Sequence, residues 1–162
     1  MKSLFGRSAH PSLSLEYRNV LVPVVGDPAD EMALRVAAAA VANTHGQVSL
    51  LNVIEVPFQR RLDVEDPKAV AQAQRILDGA EELLGVLHCD VRSSMVQARS
   101  AGAAIVDDAV AIGADLIVMG LPYKRRFGGQ WNAGRTVPYV MRNSMAPVWC
   151  LRAATTELAD VP

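Results

Sequence analysis

Between Gly120 and Thr136 the sequence reads GLPYKRRFGGQWNAGRT, and its residue types suit one kind of chemistry, the holding of an anion. Glycines let backbone N–H groups converge on a phosphate with no Cβ in the way. Lys124, Arg125, Arg126 and Arg135 add charged donors, and Thr136 adds a hydroxyl beside Gly134. Each also has a plainer use. Glycines punctuate strands and helices, and Lys124, Arg125 and Arg126 suit a solvated loop equally well. Trp131 either stacks on a base or folds back as a hydrophobic lid. No catalytic constellation accompanies the loop. His10, His45 and His88 have no Ser, Cys or carboxylate partner placed for a relay, and Asp107-Asp108 read as a solvated helix face. Cys89 and Cys150 make neither a disulfide framework nor a metal-ligand spacing. The expectation is a binding protein, not an enzyme, with no metal.

Such a loop works when a buried strand delivers it and a helix amino terminus receives it. Residues 115–119 (DLIVM) supply a short strand buried on both faces, a helical pattern follows over 134–144, and PVWCLR (147–152) is the last strand. Upstream, NVLVPVV (19–25) is a strand, and Gly26-Asp27-Pro28 turns into a helix with Asp27 as its cap. That helix is expected to bury Met32, Val36, Ala39, Ala40 and Asn43, and to end at Gly46 after His45. VSLLNV (48–53) is the second strand. Glu55 beyond it either binds a sugar hydroxyl or stays a solvated turn residue. Asp66-Pro67 opens a helix over 68–87, apolar along Val70, Ala73, Ile76, Leu77, Ala80, Leu83, Leu84 and Leu87. Residues 90–98 alternate as an edge strand does, and Ser100 caps a helix through Ile112, closed by Gly113.

Strands and helices alternate throughout, so the chain is expected to be α/β: a single doubly wound, mostly parallel five-stranded sheet with helices on both faces. Residues 1–17 read as a loose arm, 18–152 as one domain, and 153–162 as a polar tail. With 162 residues, 51% hydrophobic, 20% charged and a net charge of −1, the composition excludes a disordered tail and a general nucleic-acid binder. No apolar run is long enough to span a bilayer, and the amino terminus lacks the apolar core of a secretory signal. A cytoplasmic protein with no membrane insertion and no nucleic-acid partner is expected. If the last strand is an edge, its free N–H and C=O groups need cover. A homodimer paired along it, from Val148 at one end to Arg152 at the other, supplies that cover.

Three segments, VLVPV…GDP, LLNVIEVP and ADLIVMG…GRTVPYVMRNSMAPVWCLR, together resemble the universal stress protein family over residues 18–152. QARSAGAAIVDDA and GRTV are most similar to the subgroup also found fused behind amino-acid permeases. The resemblance implies a sheet of order 3-2-1-4-5 that dimerises through its last strands. It also implies a stress-response protein that binds ATP or AMP without turnover. Carried onto this chain, the nucleotide site takes Pro23, Val24 and Val25 after the first strand, Val53 on the second, and Met119 beside Gly120. The family's phosphate loop is G-x2-G-x9-G-[ST]. Gly120 matches its first glycine, Tyr123 stands at the second, and Gly134 comes one position late for the third. Arg135 replaces the small hydroxyl residue and Thr136 follows it, while Val25 stands where the family carries an aspartate. The alternative is an interaction module that binds no nucleotide and docks a partner such as a transporter.

Overall fold

Apolar runs and helical patterns resolve into β1 (Asn19–Pro23), α1 (Pro28–Val41), β2 (Gln47–Glu55), α2 (Pro67–Val86), β3 (Asp90–Ala98), α3 (Ala101–Ala111), β4 (Leu116–Gly120), α4 (Thr136–Asn143) and β5 (Val148–Leu151). The computed structural model describes residues 16–122 and 134–152. The strands form one sheet in the order β3-β2-β1-β4-β5, every neighbouring pair parallel, which is the expected topology. β3 is an edge, as its alternation suggested.

Strand side chains alternate between two faces, and the two cores sort accordingly. Val20, Val22, Val48, Leu50, Leu116 and Val118 pack with Ala33, Ala37 and Ala40 of α1 and Leu77, Ala80 and Leu84 of α2. Leu21, Leu51, Ile117 and Met119 pack with Ile105 and Ala109 of α3 and Val137 and Val140 of α4. The first two helices therefore cover one face and the last two the other. Each fully buried leucine contributes about 2 kcal/mol.

Three expectations are corrected. The buried stripe of α1 is Ala29, Asp30, Ala33, Leu34, Ala37, Ala40 and Val41, whereas Met32, Ala39 and Asn43 are exposed. An alanine-rich helix carries little contrast to locate its face, and close packing on the sheet selects the small side chains. α1 also ends at Val41, and the left-handed residue in the turn is His45 (φ 50). Gly46 serves closeness: a Cβ there would stand 2.6 Å from the Arg18 carbonyl oxygen. Finally, Asp115 precedes β4 and does not belong to the buried run. Its carboxylate accepts the N–H groups of Arg18 (2.7 Å) and Asn19 (3.1 Å), pinning the start of β1 beside β4.

The loose arm and the polar tail lie outside the described residues, save Glu16 and Tyr17 at the end of the arm. Tyr17 meets Trp149 edge-on, ring centroids 5.4 Å apart. Among the described residues no helix is long and apolar enough to cross a membrane.

Gly79 lies inside α2 with nothing within 4 Å of where a Cβ would stand. Gly79→Ala therefore gains helix propensity without a clash, about 0.8 kcal/mol, and raises the thermal midpoint by about 2 °C. A lowered midpoint would mean that the open space is used.

Candidate functional site

β1 and β4 are parallel neighbours, paired at Val20 with Leu116 and Leu21 with Ile117. The chain leaves β1 for α1 on one face and leaves β4 for α4 on the other. The two exits part there and open a crevice at the carboxyl ends of the strands, the usual ligand position in such sheets.

One wall is the β1–α1 turn. Pro23 ends β1, and Val24 is buried. The Val24 N–H donates to the Leu51 carbonyl (2.9 Å), and its own carbonyl accepts from Asn52 Nδ2 (2.9 Å). Val25 is 64% exposed, an apolar side chain presented to solvent. Its N–H donates to Asp30 Oδ2 at 2.8 Å, as does that of Gly26 at 2.8 Å, with Asp27 N–H following at 3.3 Å. Gly26 is left-handed (φ 81), which is what turns these successive donors toward one oxygen. Asp27 caps α1 as expected, its Oδ1 accepting from Ala29 N–H at 2.9 Å, and with Asp30 it completes a capping box. Burial pushes the Asp30 carboxyl above its ordinary value, against the downward pull of the three N–H groups.

The opposite wall is the end of β4. Met119 is buried against α3 and α4, and Gly120 abuts the first turn of α1. A Cβ at Gly120 would stand 2.5 Å from the Ala29 carbonyl oxygen and 3.1 Å from the Asp30 nitrogen. The two walls thus touch through backbone. Between them, β1 stops at Pro23 opposite Leu51 while β2 continues to Glu55. Val53, half-buried against the α3–α4 core, consequently has no strand on its β1 flank.

Beyond β4, Gly134 is left-handed (φ 68), Arg135 is the exposed N-cap residue of α4, and Thr136 is its first helical residue. Arg135 makes no side-chain cap hydrogen bond, and the first turn of α4 holds no acidic residue. The other three helices each begin on a carboxylate: Asp27 for α1, Asp66 for α2, and Glu55 for α3. Tyr123, Lys124, Arg125, Arg126 and Trp131 lie outside the described residues.

Glu55 is the exposed last residue of β2 and also caps α3. Its Oε1 accepts the Ala101 N–H at 2.8 Å, the bond expected from Ser100, whose side chain makes none. Arg99 secures the same corner, donating to the carbonyl of Val56 (3.1 Å) and lying over the Phe58 ring at 5.3 Å. Asp30 and Asn52 have no site role in the sequence reading. For Asp30 the signal was present, because an acid three residues after an Asp cap is the capping-box spacing. Asn52 carries no such signal. Burial raises the thiols of Cys89 and Cys150, which leaves both poor nucleophiles. Among the described residues no group of His, Cys, Asp or Glu is arranged to hold a metal ion.

A family model described as the universal stress protein family matches residues 16–152. No curated protein matches the chain in sequence. Solved structures do match. A universal stress protein from Archaeoglobus fulgidus aligns at TM-score 0.68 with 22% identity, covering 83% of this chain and 98% of its own. The same organism's protein in complex with dAMP aligns at 0.64 with 22% identity, covering 83% and 97%. An Arabidopsis thaliana family protein with AMP bound aligns at 0.63 with 12% identity, covering 88% and 96%.

Proposed function

Because the chain belongs to the universal stress protein family, we propose that it is a cytoplasmic regulatory protein that binds an adenine nucleotide or related anion between β1 and β4, without turnover. The observation that carries this reading is the amino terminus of α4. It alone among the four helices begins without a carboxylate among the described residues, and it has Arg135 at its cap beside left-handed Gly134. A cation at the positive end of a helix dipole is unfavourable by itself and favourable with an anion between them. Gly134, Arg135 and Thr136 would face the phosphates, Pro23, Val24 and Val25 the sugar side, and Val53 the base, with Met119 and Gly120 beneath. Lys124, Arg125 and Arg126 would add charge from the loop. The buried carboxylate of Asp30, at the start of α1, is engaged by three N–H groups and is not placed as a base.

β5 is a four-residue edge strand with every residue partly buried. A second copy paired along it gives the homodimer that the family resemblance implies.

Calorimetric titration with AMP, ATP and cyclic AMP tests the reading. Binding is expected in the micromolar range, weakened about tenfold by Arg135→Ala through loss of one charge-assisted contact. No heat with any of the three would discard nucleotide binding. It would favour the partner-docking alternative, to which the exposed side chain of Val25 at the crevice mouth lends itself.

A further inference from the structure

Among the described residues β3 pairs with β2 along one side and with no strand along the other. It is nine residues long and free of proline, an edge with none of the usual guards against pairing. The Ala98 carbonyl accepts from the Val56 N–H at 2.8 Å, so residues in step with Ala98 aim their backbone at β2. Val91, Ser93 and Met95 are out of step and turn their N–H and C=O groups outward. α3 settles over Leu21, Leu51 and Ile117, on strands further in, and leaves a groove along the β3 side.

That groove is a cavity of about 530 Å³ lined by Leu62 and Val96 together with Ala103, Ala104 and Ala111 of α3. Leu62 is 41% exposed and Val96 37%, so both present apolar surface to solvent. Asp107 and Asp108 also line it. Among the described residues neither carboxylate meets a cation or a hydrogen-bond donor. Burial pushes the Asp108 carboxyl above its ordinary value, with no bond to offset it. Arg99 reaches the groove too, but its guanidinium is held by the carbonyls of Val56 and Pro57. Outward backbone, apolar surface and uncompensated negative charge thus lie side by side.

We propose that the groove between the β3 edge and α3 is a docking site for an extended segment of a partner protein, one that carries an apolar side chain and, two positions away, a lysine or arginine. Added alongside β3, such a segment answers the outward N–H and C=O groups with its own backbone. Its alternate side chains fall on the groove face, the apolar one against Leu62 and Val96 and the cation toward Asp107 and Asp108. An acidic segment is repelled by the same two carboxylates. The site stands whether or not a nucleotide binds between β1 and β4.

A phage-displayed library of short random peptides, panned on the full chain with counter-selection on Asp107→Asn/Asp108→Asn, tests this. Enriched peptides are expected to alternate apolar and basic residues and to bind wild type about tenfold more tightly than the double variant. They are also expected to slow amide exchange at Val91, Ser93 and Met95, which charge attraction alone would not do. Val96→Lys, a natural guard of strand edges, should weaken them by a similar factor. No enrichment, equal binding to the double variant, or unchanged exchange at those three amides would overturn the proposal. So would a dimer in sedimentation that Val96→Lys dissociates, because the edge then belongs to a second copy. Should Val96→Lys fail to fold by circular dichroism, the exchange pattern and the double variant, altered only on the solvent side of α3, decide.

Discussion

Gly120→Ala lowers the free energy of unfolding by about 3 kcal/mol and the thermal midpoint by about 9 °C. The added methyl would lie 2.5 Å from the Ala29 carbonyl oxygen and 2.7 Å from its carbon. Both are backbone atoms in the first turn of a capped helix, so neither can swing aside as a flexible side chain would. Relief requires moving α1 away from β4, and that shift disturbs the core formed by Ala33, Ala37 and Val118. It also displaces the turn that carries Val25. Ligand binding should therefore weaken along with stability. Gly85→Ala is the control, since nothing lies within 4 Å of its Cβ position. A loss at position 120 no greater than about 0.5 kcal/mol in a denaturant titration would show that the crevice walls do not touch as described.

Asp30→Ala is the second large effect, a loss of about 3 kcal/mol as three N–H groups lose their acceptor and the capping box is broken. Asp30→Asn keeps an acceptor oxygen and should lose about 1 kcal/mol. The two variants also differ from wild type in pH dependence. The folded carboxyl has its value raised by burial, so between the unfolded value and the raised one the folded state holds more protons than the unfolded chain. Stability from this group thus falls as pH rises through that window, and it is level on either side. Subtracting the Asp30→Asn profile from that of wild type should leave this downward step, read from denaturant midpoints across the acidic range. A step in the opposite sense would mean that the three N–H groups outweigh burial.

The architecture was legible because it rests on features that sequence carries directly. Apolar runs separated by helical repeats specify buried parallel strands, and Asp27-Pro28 and Asp66-Pro67 mark two helix starts without ambiguity. Where contrast was low, reading failed. α1 is so rich in alanine that its buried stripe was misplaced, and only packing against the sheet distinguishes Ala33 and Ala37 from Ala39. The site was half legible. Gly120 and Gly134 stand out, but the reason for Gly120 is a contact with Ala29, ninety-one positions away in sequence, which local pattern cannot show. The cap role of Glu55 was missed for the same cause, since its partner Ala101 is brought near by the β2–β3 pairing. Polar residues with long-range partners are invisible until the topology is known.

The carboxylate that starts α3 comes from forty-six positions earlier in the chain. A peptide holding this eleven-residue helix alone would lack that acceptor and would be too short to persist in water. The start of α3 is therefore tied to the register of β2 against β3, which sets Glu55 opposite Ala98 and within reach of Ala101. A one-residue slip between those two strands would turn Glu55 to the other face of the sheet and uncap α3.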